Sequence, residues 1–294
     1  MTLYGFRSDW EPAPRSAPVG TMLLAIGDVH GHLDHLNALI GLLRPEIRRA
    51  RRAGLDVELV LIGDYIDRGP NSLGVLHRVA ELPRLLDVPV HALRGNHDQY
   101  LIDFLVADAP ASGNLETWCG NGGETTLAEL GIGLNELARG DLRLLAARAR
   151  VTAGPAVMAV LRGLELCRRI GDFLFVHAGV HPSKPLAEQG SHDLLWLREP
   201  FLSATGWRHP FVVVHGHTIR GPEVHPHRIA LDSGVYATGV LTAVQILDER
   251  LRFWCVTDEP EQTTFHRLPG TAQKRRFTTP APLPEAPAGA AAEA

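Results

Sequence analysis

The sequence predicts an α/β fold in which helices cover a parallel or mixed β-sheet. In the first half of the chain, short apolar runs at 22–26, 57–62 and 88–93 alternate with helix-length segments at 33–52 and 72–86. Further strand-like runs follow at 173–176, 211–214, 229–231, 239–247 and 251–256. They predict a second, partly antiparallel sheet that closes the fold, with the last two runs joined as a hairpin at 248–250.

The middle and the two ends of the chain depart from this alternation. Residues 99–170 carry Leu, Ala and Arg at helical spacing, with turn signals at 112–114 and 121–123, and predict a helical insertion. Residues 1–20 carry three prolines among small and charged residues, and residues 269–294 end in a Pro/Ala-rich string. We therefore expect a flexible N-terminal tail over 1–20, one domain over 21–268, and a disordered C-terminal tail over 269–294.

The composition excludes several classes of protein. With 294 residues, of which 45% are hydrophobic and 21% charged, the chain is neither collagen-like, coiled-coil nor wholly disordered. The formal charge of −4 gives no argument for nucleic acid or membrane as a partner, and no stretch approaches the roughly 18 apolar residues of a membrane span. Cys119, Cys167 and Cys255 lack CxxC spacing, which disfavours disulfides and cysteine zinc sites. We expect a cytoplasmic protein without an obligate protein partner.

A polar, glycine-containing phrase follows each of five strand-like runs. The phrases are Gly27-Asp28-Val29-His30-Gly31, Gly63-Asp64-Tyr65-Ile66-Asp67-Arg68-Gly69, Gly95-Asn96-His97-Asp98, His177-Ala178-Gly179 and His215-Gly216-His217-Thr218. In an open α/β sheet the carboxyl ends of the strands line one edge. The five phrases are therefore expected to form one site.

The side chains in these phrases suit metal ions. The candidate donors are Asp28, His30, Asp64, Asn96, His177 and His217. Carboxylate, amide and imidazole groups without a thiolate favour Mn²⁺, Fe or Zn²⁺ over a calcium cage or a thiolate zinc site. Six donors exceed the needs of one catalytic ion, whereas two ions about 3.5–4 Å apart that share a carboxylate recur in phosphoester hydrolases.

In this order the five phrases resemble the signature of the calcineurin-like metallophosphoesterases, GDxHG, GDxxDRG, GNH(E/D), HAG and GHT, over about residues 22–256. Within that family the chain is most similar to the bacterial phosphoprotein (Ser/Thr) phosphatase branch, which includes the bacteriophage lambda enzyme. The residues that carry this likeness are the DRG triplet at 67–69, the 118–123 phrase ending in NGG, and LLWLREPF at 194–201. The resemblance implies a four-layer αββα sandwich with two mixed β-sheets and a helical insertion over the site.

The resemblance also implies a role for each candidate ligand. Asp28 and His30 would hold one divalent ion, Asp64 would bridge, and Asn96, His177 and His217 would hold the other, with Mn²⁺ favoured and Fe or Zn²⁺ possible. The relatives often lack a histidine at the position of His215. We therefore expect His215 to be an outer-shell or structural residue.

Hydrolysis of a phosphomonoester needs charge neutralisation, a hydroxide and a proton for the leaving oxygen. Two ions would supply a bridging hydroxide for direct attack. His97 is expected to be the general acid, with Asp67 holding its other ring nitrogen. Arg68 and Arg198 offer the forked geometry that matches phosphoryl oxygens, and the substrate would also approach Asn96.

The sequence leaves three functions in view. We expect a protein serine/threonine phosphatase acting on a phosphoprotein or small phosphoester. The alternative enzyme is a symmetrical diadenosine tetraphosphate hydrolase, which shares GDVHG, GNHD and HAG, although the WLREPF segment disfavours it. A non-catalytic phosphate-binding scaffold would have no use for a leaving-group acid. Asp98 stands where eukaryotic relatives carry Glu, and we expect it to lie outside the metal chemistry.

Overall fold

Two β-sheets pack face to face in the computed structural model, which describes residues 2–106, 114–259 and 281–282. The strands are β1 Tyr4–Arg7, β2 Glu11–Pro12, β3 Thr21–Ile26, β4 Asp56–Leu61, β5 Val90–Ala92, β6 Cys167–Ile170, β7 Phe173–Val176, β8 Val212–His215, β9 Glu223–Val224, β10 Arg228–Ala230, β11 Val240–Leu247, β12 Arg250–Thr257 and β13 Ala281–Pro282. The first sheet has the order β13-β1-β12-β11-β3-β4-β5, with β2 also paired to β12, and the second has the order β6-β7-β8-β10-β9. Both sheets are mixed, because β3, β4 and β5 run parallel, as do β7, β8 and β10, while the other pairs are antiparallel.

Helices lie on the outer faces of the two sheets, most of them on the first sheet. They are α1 Leu33–Arg52, α2 Ser72–Leu86, α3 Asn96–Leu105, α4 Leu115–Trp118, α5 Glu124–Glu129, α6 Leu134–Arg139, α7 Leu142–Gly163, α8 Ser191–Trp196 and α9 Val235–Thr238, with a π-helical turn at Cys119–Gly123 and a 3₁₀ turn at Leu186–Glu188. The two helices predicted in the first half of the chain, at 33–52 and 72–86, are confirmed at both ends.

The alternation of side chains along each strand separates the layers. In β3, Leu24 and Ile26 pack toward the helices, whereas Leu23 and Ala25 pack toward the second sheet. The outer face of the second sheet is covered by α8 and the segment after it, through Leu194 and other apolar side chains. The predicted α/β fold with two mixed sheets is therefore confirmed. The fourth layer, over the second sheet, consists of the short helix α8 and the segment after it.

The predicted hairpin forms, but it belongs to a different sheet from the one we expected. Strands β11 and β12 pair antiparallel, and β11 continues the first sheet by pairing with β3, where Ala243 lies opposite Ile26. The edge of β3 that faces away from β4 would otherwise expose its unpaired N–H and C=O groups. The hairpin covers that edge, a long-range pairing that local sequence does not specify.

The expectation of a flexible tail over residues 1–20 is wrong. Strand β1 pairs antiparallel with β12, with Tyr4 opposite Thr257, and the side chain of Phe6 is only 5% exposed. Pro12 lies in β2 at the edge of the sheet, where proline is tolerated because no ladder donor is needed. The C-terminal tail expected over 269–294 lies outside the described residues, apart from β13, which pairs with β1.

The insertion expected over 99–170 is helical in its described part up to Gly163, and its last residues form strand β6. Residues 107–113 are outside the described part. Helix α7 is long and apolar enough to cross a membrane by length and composition, contrary to our expectation that no segment would be. However, it breaks at Gly154, before Pro155, and its side chains Val157 and Leu161 are buried in the core beside α2 and α3. Packing in the core accounts for the apolar residues of its inner face.

Candidate active site

The carboxyl ends of β3, β4 and β5 meet those of β7 and β8 at one edge of the sandwich, and all five polar phrases converge there. Of the seven described non-glycine residues with positive φ, five belong to these phrases: His30, Asp64, Asp67, Arg68 and His217. Such backbone costs of order 1–3 kcal/mol per residue and persists where the surrounding structure holds it. The strain is concentrated at this one site.

Two groups of side chains at this edge could each hold a metal ion. His30, Asp64 and His97 offer ligand atoms within 4.8 Å of one another, and so do Asp64, His177 and His217. Asp64 is common to both groups. A carboxylate shared in this way can bridge two ions, as the sequence predicts for Asp64.

Asp28 lies beside both groups with an unsatisfied oxygen. Its side chain is buried, and Oδ2 accepts a hydrogen bond from the backbone N–H of His217 at 2.9 Å. Oδ1 has no hydrogen-bond partner among the residues that the structure describes. Gly216 leaves room for this oxygen, since an added Cβ would collide with it. The glycine of the HGHT phrase is therefore needed for close approach to Asp28.

The candidate histidine ligands are neutral. Burial lowers the pKa of His30 to about 3 and that of His217 to about 2, and it also lowers the pKa of His177. His177 Nε2 and His217 Nδ1 each lie 2.9 Å from Asn96 Oδ1, which brings the three proposed ligands of the second ion together. Neutral imidazole is the form that binds metal ions.

The electrostatics of the site fit divalent cations. Burial raises the pKa of Asp28, and the nearby charges of Asp232 and Asp64 raise it further. Burial also raises the pKa of Asp64, but the surrounding histidines outweigh it and the net shift is downward. Within the described part of the chain, Asp28 Oδ1 and His217 Nε2 have no hydrogen-bond partner. Together with buried carboxylates that repel one another, they form the environment that a bound cation compensates.

His97 and Asp67 form a buried pair next to the metal ligands. His97 is the second residue of α3, and its Nδ1 lies 2.7 Å from Asp67 Oδ2. Burial lowers the pKa of His97, but the charge of Asp64 and the hydrogen bond to Asp67 raise it by more, so the net shift is upward. With Nδ1 engaged by Asp67, Nε2 is the ring nitrogen left to face a substrate or an ion.

Sequence reasoning missed the residues that hold Asp67. The carboxylate of Asp67 is fully buried and accepts hydrogen bonds from Trp118 Nε1 at 2.7 Å and from Thr126 Oγ1 at 2.6 Å. Trp118 was identified only as part of the NGG phrase that resembles the bacterial phosphatases. Nothing in the sequence pointed to Thr126, which is 59 residues from Asp67.

The carboxylate of Asp98 supports the backbone of the site and belongs to neither metal group among the described residues. It accepts hydrogen bonds from the backbone N–H groups of Asp64 at 2.9 Å, Tyr65 at 3.0 Å and Gly95 at 2.8 Å. Asp98 therefore holds the backbone of the shared carboxylate in its left-handed conformation. Burial, followed by the charge of Asp64, raises the pKa of Asp98 to about 7. A fifth buried carboxyl group at the site, Asp232, was not predicted from the sequence, and burial raises its pKa to about 6.

Of the two predicted phosphate-binding arginines, Arg68 contacts a proposed metal ligand directly. Arg68 Nη1 donates to His30 Nε2 at 2.9 Å, and its guanidinium lies 4.2 Å from the ring centroid of Tyr236. The backbone N–H of Arg68 donates to the carbonyl of Gly122, which places the NGG phrase against the DRG loop. Arg198 is exposed, and its charge contributes to lowering the pKa of His177 and His217. His215 belongs to neither metal group among the described residues.

A cavity of about 570 Å³ opens beside the site, between the start of α1 and α9. Tyr236 lies on its wall and connects it to Arg68. The carboxylates of Asp34, Asp258 and Glu259 also line it, whereas no lysine or arginine does so within the described ranges. This space is suited to neutral or cationic groups.

Comparison with known proteins adds a family match. A sequence profile of the calcineurin-like phosphoesterases matches residues 21–236. Serine/threonine-protein phosphatase 1 of Salmonella typhimurium is 35% identical over 193 residues, covering 62% of this chain and 70% of that protein. The asymmetrical bis(5'-nucleosyl)-tetraphosphatase PrpE of Halalkalibacterium halodurans is 34% identical over 237 residues, covering 75% of this chain and 88% of that protein.

Two further similarities are more limited. A Caenorhabditis elegans protein named as a candidate serine/threonine-protein phosphatase is 35% identical over 88 residues, so this chain spans only 18% of that relative's length. A crystal structure described as that of a candidate diadenosine tetraphosphatase superposes with a TM-score of 0.50 at 23% identity, over 80% of this chain and 93% of the other. At that identity the likeness concerns the fold alone.

Proposed function

Because this chain belongs to the calcineurin-like phosphoesterases, we propose that it is a phosphatase dependent on two divalent metal ions that hydrolyses phosphomonoesters, and that its substrates are proteins phosphorylated on serine or threonine. Asp28 and His30 would hold one ion and Asn96, His177 and His217 the other, with Asp64 shared. When bound, such ions lower the pKa of water toward neutrality and offset the charge of the phosphoryl group.

The chain's own residues account for the remaining steps. The Arg68 guanidinium donates to His30 Nε2, the nitrogen that an ion would take, so ion binding would release Arg68 to bind phosphoryl oxygens. Arg198 would bind the same oxygens through its forked guanidinium. His97 would donate its proton to the leaving oxygen, while Asp67 keeps the ring protonated and oriented.

The His97–Asp67 pair is the observation that carries the proposal. A phosphate-binding scaffold needs cations and hydrogen-bond donors, but it gains nothing from an imidazole that is hydrogen-bonded to a fully buried carboxylate and has a raised pKa. Three donors converge on that carboxylate, from His97, Trp118 and Thr126. A proton donor fixed in this way serves a reaction that releases an alkoxide.

The cavity beside Arg68 supports a phosphoprotein substrate. A peptide places neutral or basic side chains next to its single phosphate, and such groups are compatible with Asp34, Asp258 and Glu259. A dinucleoside tetraphosphate would bring several additional negative charges to the same region. Similarity to the Salmonella serine/threonine-protein phosphatase 1 is in keeping with this choice.

Hydrolysis of diadenosine tetraphosphate is the second candidate. The Halalkalibacterium halodurans tetraphosphatase matches 75% of this chain, against 62% for the Salmonella serine/threonine-protein phosphatase. The exposed ring of Tyr236, at the wall of the cavity, could also stack on a nucleobase.

The deciding experiment compares substrates on one preparation. The full chain, stripped of metal and reloaded with Mn²⁺, is assayed side by side on a phosphoserine peptide, a phosphotyrosine peptide and diadenosine tetraphosphate, with His97→Asn as the matched control. We expect the highest kcat/KM on the phosphoserine peptide and a loss of that activity in the control. A higher kcat/KM on diadenosine tetraphosphate would replace the proposal with the second candidate, and inactivity on all three would contradict both.

A further inference from the structure

Phe201 links the segment that carries Arg198 to both strand ends that carry the ligands of the second ion. Its ring is fully buried and meets the ring of His215 edge-on, with centroids 5.0 Å apart and planes at 78°. His215 is the last residue of β8, two positions before His217. The ring of Phe201 is thereby placed against the strand that presents one of the histidines.

Gly179 of the HAG phrase also packs against the ring of Phe201. A Cβ added to Gly179 would collide with the Phe201 ring, lying 2.8 Å from its Cγ. Gly179 follows His177 by two residues. The absence of a side chain at 179 therefore lets the ring lie against the end of β7 as well as the end of β8.

A closed turn connects this ring to Arg198. The backbone N–H of Leu202 donates to the carbonyl of Arg198 at 2.9 Å, so Arg198 and Phe201 lie in one hydrogen-bonded turn. The side chain of Arg198 itself is exposed, so packing of its own side chain does not fix its position. The only fully buried side chain in the segment 198–202 is that of Phe201.

We propose that Phe201 is a positioning residue for Arg198. Its ring packs against Gly179 and His215, which fixes the backbone of the turn and thereby the position of the Arg198 guanidinium at the metal-binding edge. This assigns a role to His215, which packs against the ring, and to the glycine of HAG. The inference rests on the proposed function, because it takes Arg198 to bind the phosphoryl group. An arginine clamp acts through geometry, so a displacement of its backbone weakens it without removing its charge.

The test is a double-mutant cycle between Phe201→Leu and Arg198→Ala, with Phe211→Leu as the matched control. Phe211 is also buried in the apolar layer over the second sheet. Its ring contacts Trp207 and His209 rather than Gly179 or His215. Three quantities are measured for each variant: KM and kcat on p-nitrophenyl phosphate, the affinity for inorganic phosphate by calorimetry, and metal content.

We expect Phe201→Leu to weaken phosphate binding and raise KM by about three- to tenfold with metal content unchanged, and to have no further effect in the Arg198→Ala background. Phe211→Leu should lower the melting temperature similarly but leave KM and phosphate affinity at wild-type values. Additive effects of Phe201→Leu and Arg198→Ala, or an equal rise in KM for Phe211→Leu, would overturn the inference.

If Phe201→Leu does not fold, Gly179→Ala serves the same purpose, because its methyl group displaces the ring without deleting it. Wild-type phosphate affinity in a folded Gly179→Ala variant would count against the inference. Calorimetry also separates this inference from the proposed function. If phosphate binding depends on Arg198 and Phe201 but no phosphoester is hydrolysed, the proposed phosphatase function is refuted, whereas the positioning role of Phe201 is supported.

Discussion

Replacing Asp67 with Asn removes one of the two carboxylate charges that raise the pKa of His97, after that of Asp64, while keeping the shape of the side chain. The carboxylate is fully buried and accepts three hydrogen bonds, at 2.7 Å from His97, 2.7 Å from Trp118 and 2.6 Å from Thr126. An amide has only one acceptor oxygen, so its NH₂ group would face one of these donors.

The expected cost follows from those contacts. A hydrogen bond to a charged group contributes about 1.5–3 kcal/mol, and a buried unsatisfied donor costs a similar amount, so the free energy of unfolding should fall by about 2–4 kcal/mol. Turnover should fall by about 10²–10⁴, the range for loss of a general acid. Both ions should remain, since Asp67 is not one of the proposed ligands.

The assay compares an alkyl phosphate with p-nitrophenyl phosphate, whose acidic leaving group needs less protonation. The loss of kcat should therefore be smaller on p-nitrophenyl phosphate. Thr126→Val is the matched control, because it removes the hydrogen bonds of Thr126 to the carboxylate and to the backbone N–H of Asp67 and leaves the pair with His97 intact. Wild-type kcat on the alkyl phosphate for Asp67→Asn, or an equal loss for Thr126→Val, would refute the reasoning.

Three further outcomes are expected. Asp64→Asn should lose both ions, whereas His217→Ala should mainly weaken one, and equal metal retention by elemental analysis would contradict the shared role of Asp64. Removing metal with a strong chelator should abolish hydrolysis of p-nitrophenyl phosphate, and Mn²⁺ should restore it; full activity of metal-free protein would contradict a two-ion site. Deleting residues 2–12 removes the buried ring of Phe6, worth about 2 kcal/mol. The melting temperature should then fall by about 4–8 °C, and an unchanged value would show that β1 and β2 contribute nothing to stability.

Much of the site could be predicted from the sequence because its chemistry is local to strand ends. Each phrase follows a strand whose apolar residues identify it, and parallel strands present their carboxyl ends at one edge. Asp64 and His217 could therefore be placed near each other although 153 positions separate them. The bounds of α1 and α2 were equally predictable, because amphipathic periodicity depends only on neighbouring residues.

Only the tertiary structure shows which distant segments pair with the predicted strands and contact the predicted site residues. The pairing of β1 with β12 joins residues about 250 positions apart, and four residues with three nearby prolines carry too weak a strand pattern to reveal it. The role of Thr126 could not be predicted from the sequence either, because nothing about a threonine in a short helix indicates that its hydroxyl donates a hydrogen bond to Asp67. Motif chemistry and periodicity are short-range properties of a chain. The partners of a buried carboxylate or an open sheet edge depend on how all layers pack, and only the folded molecule determines them.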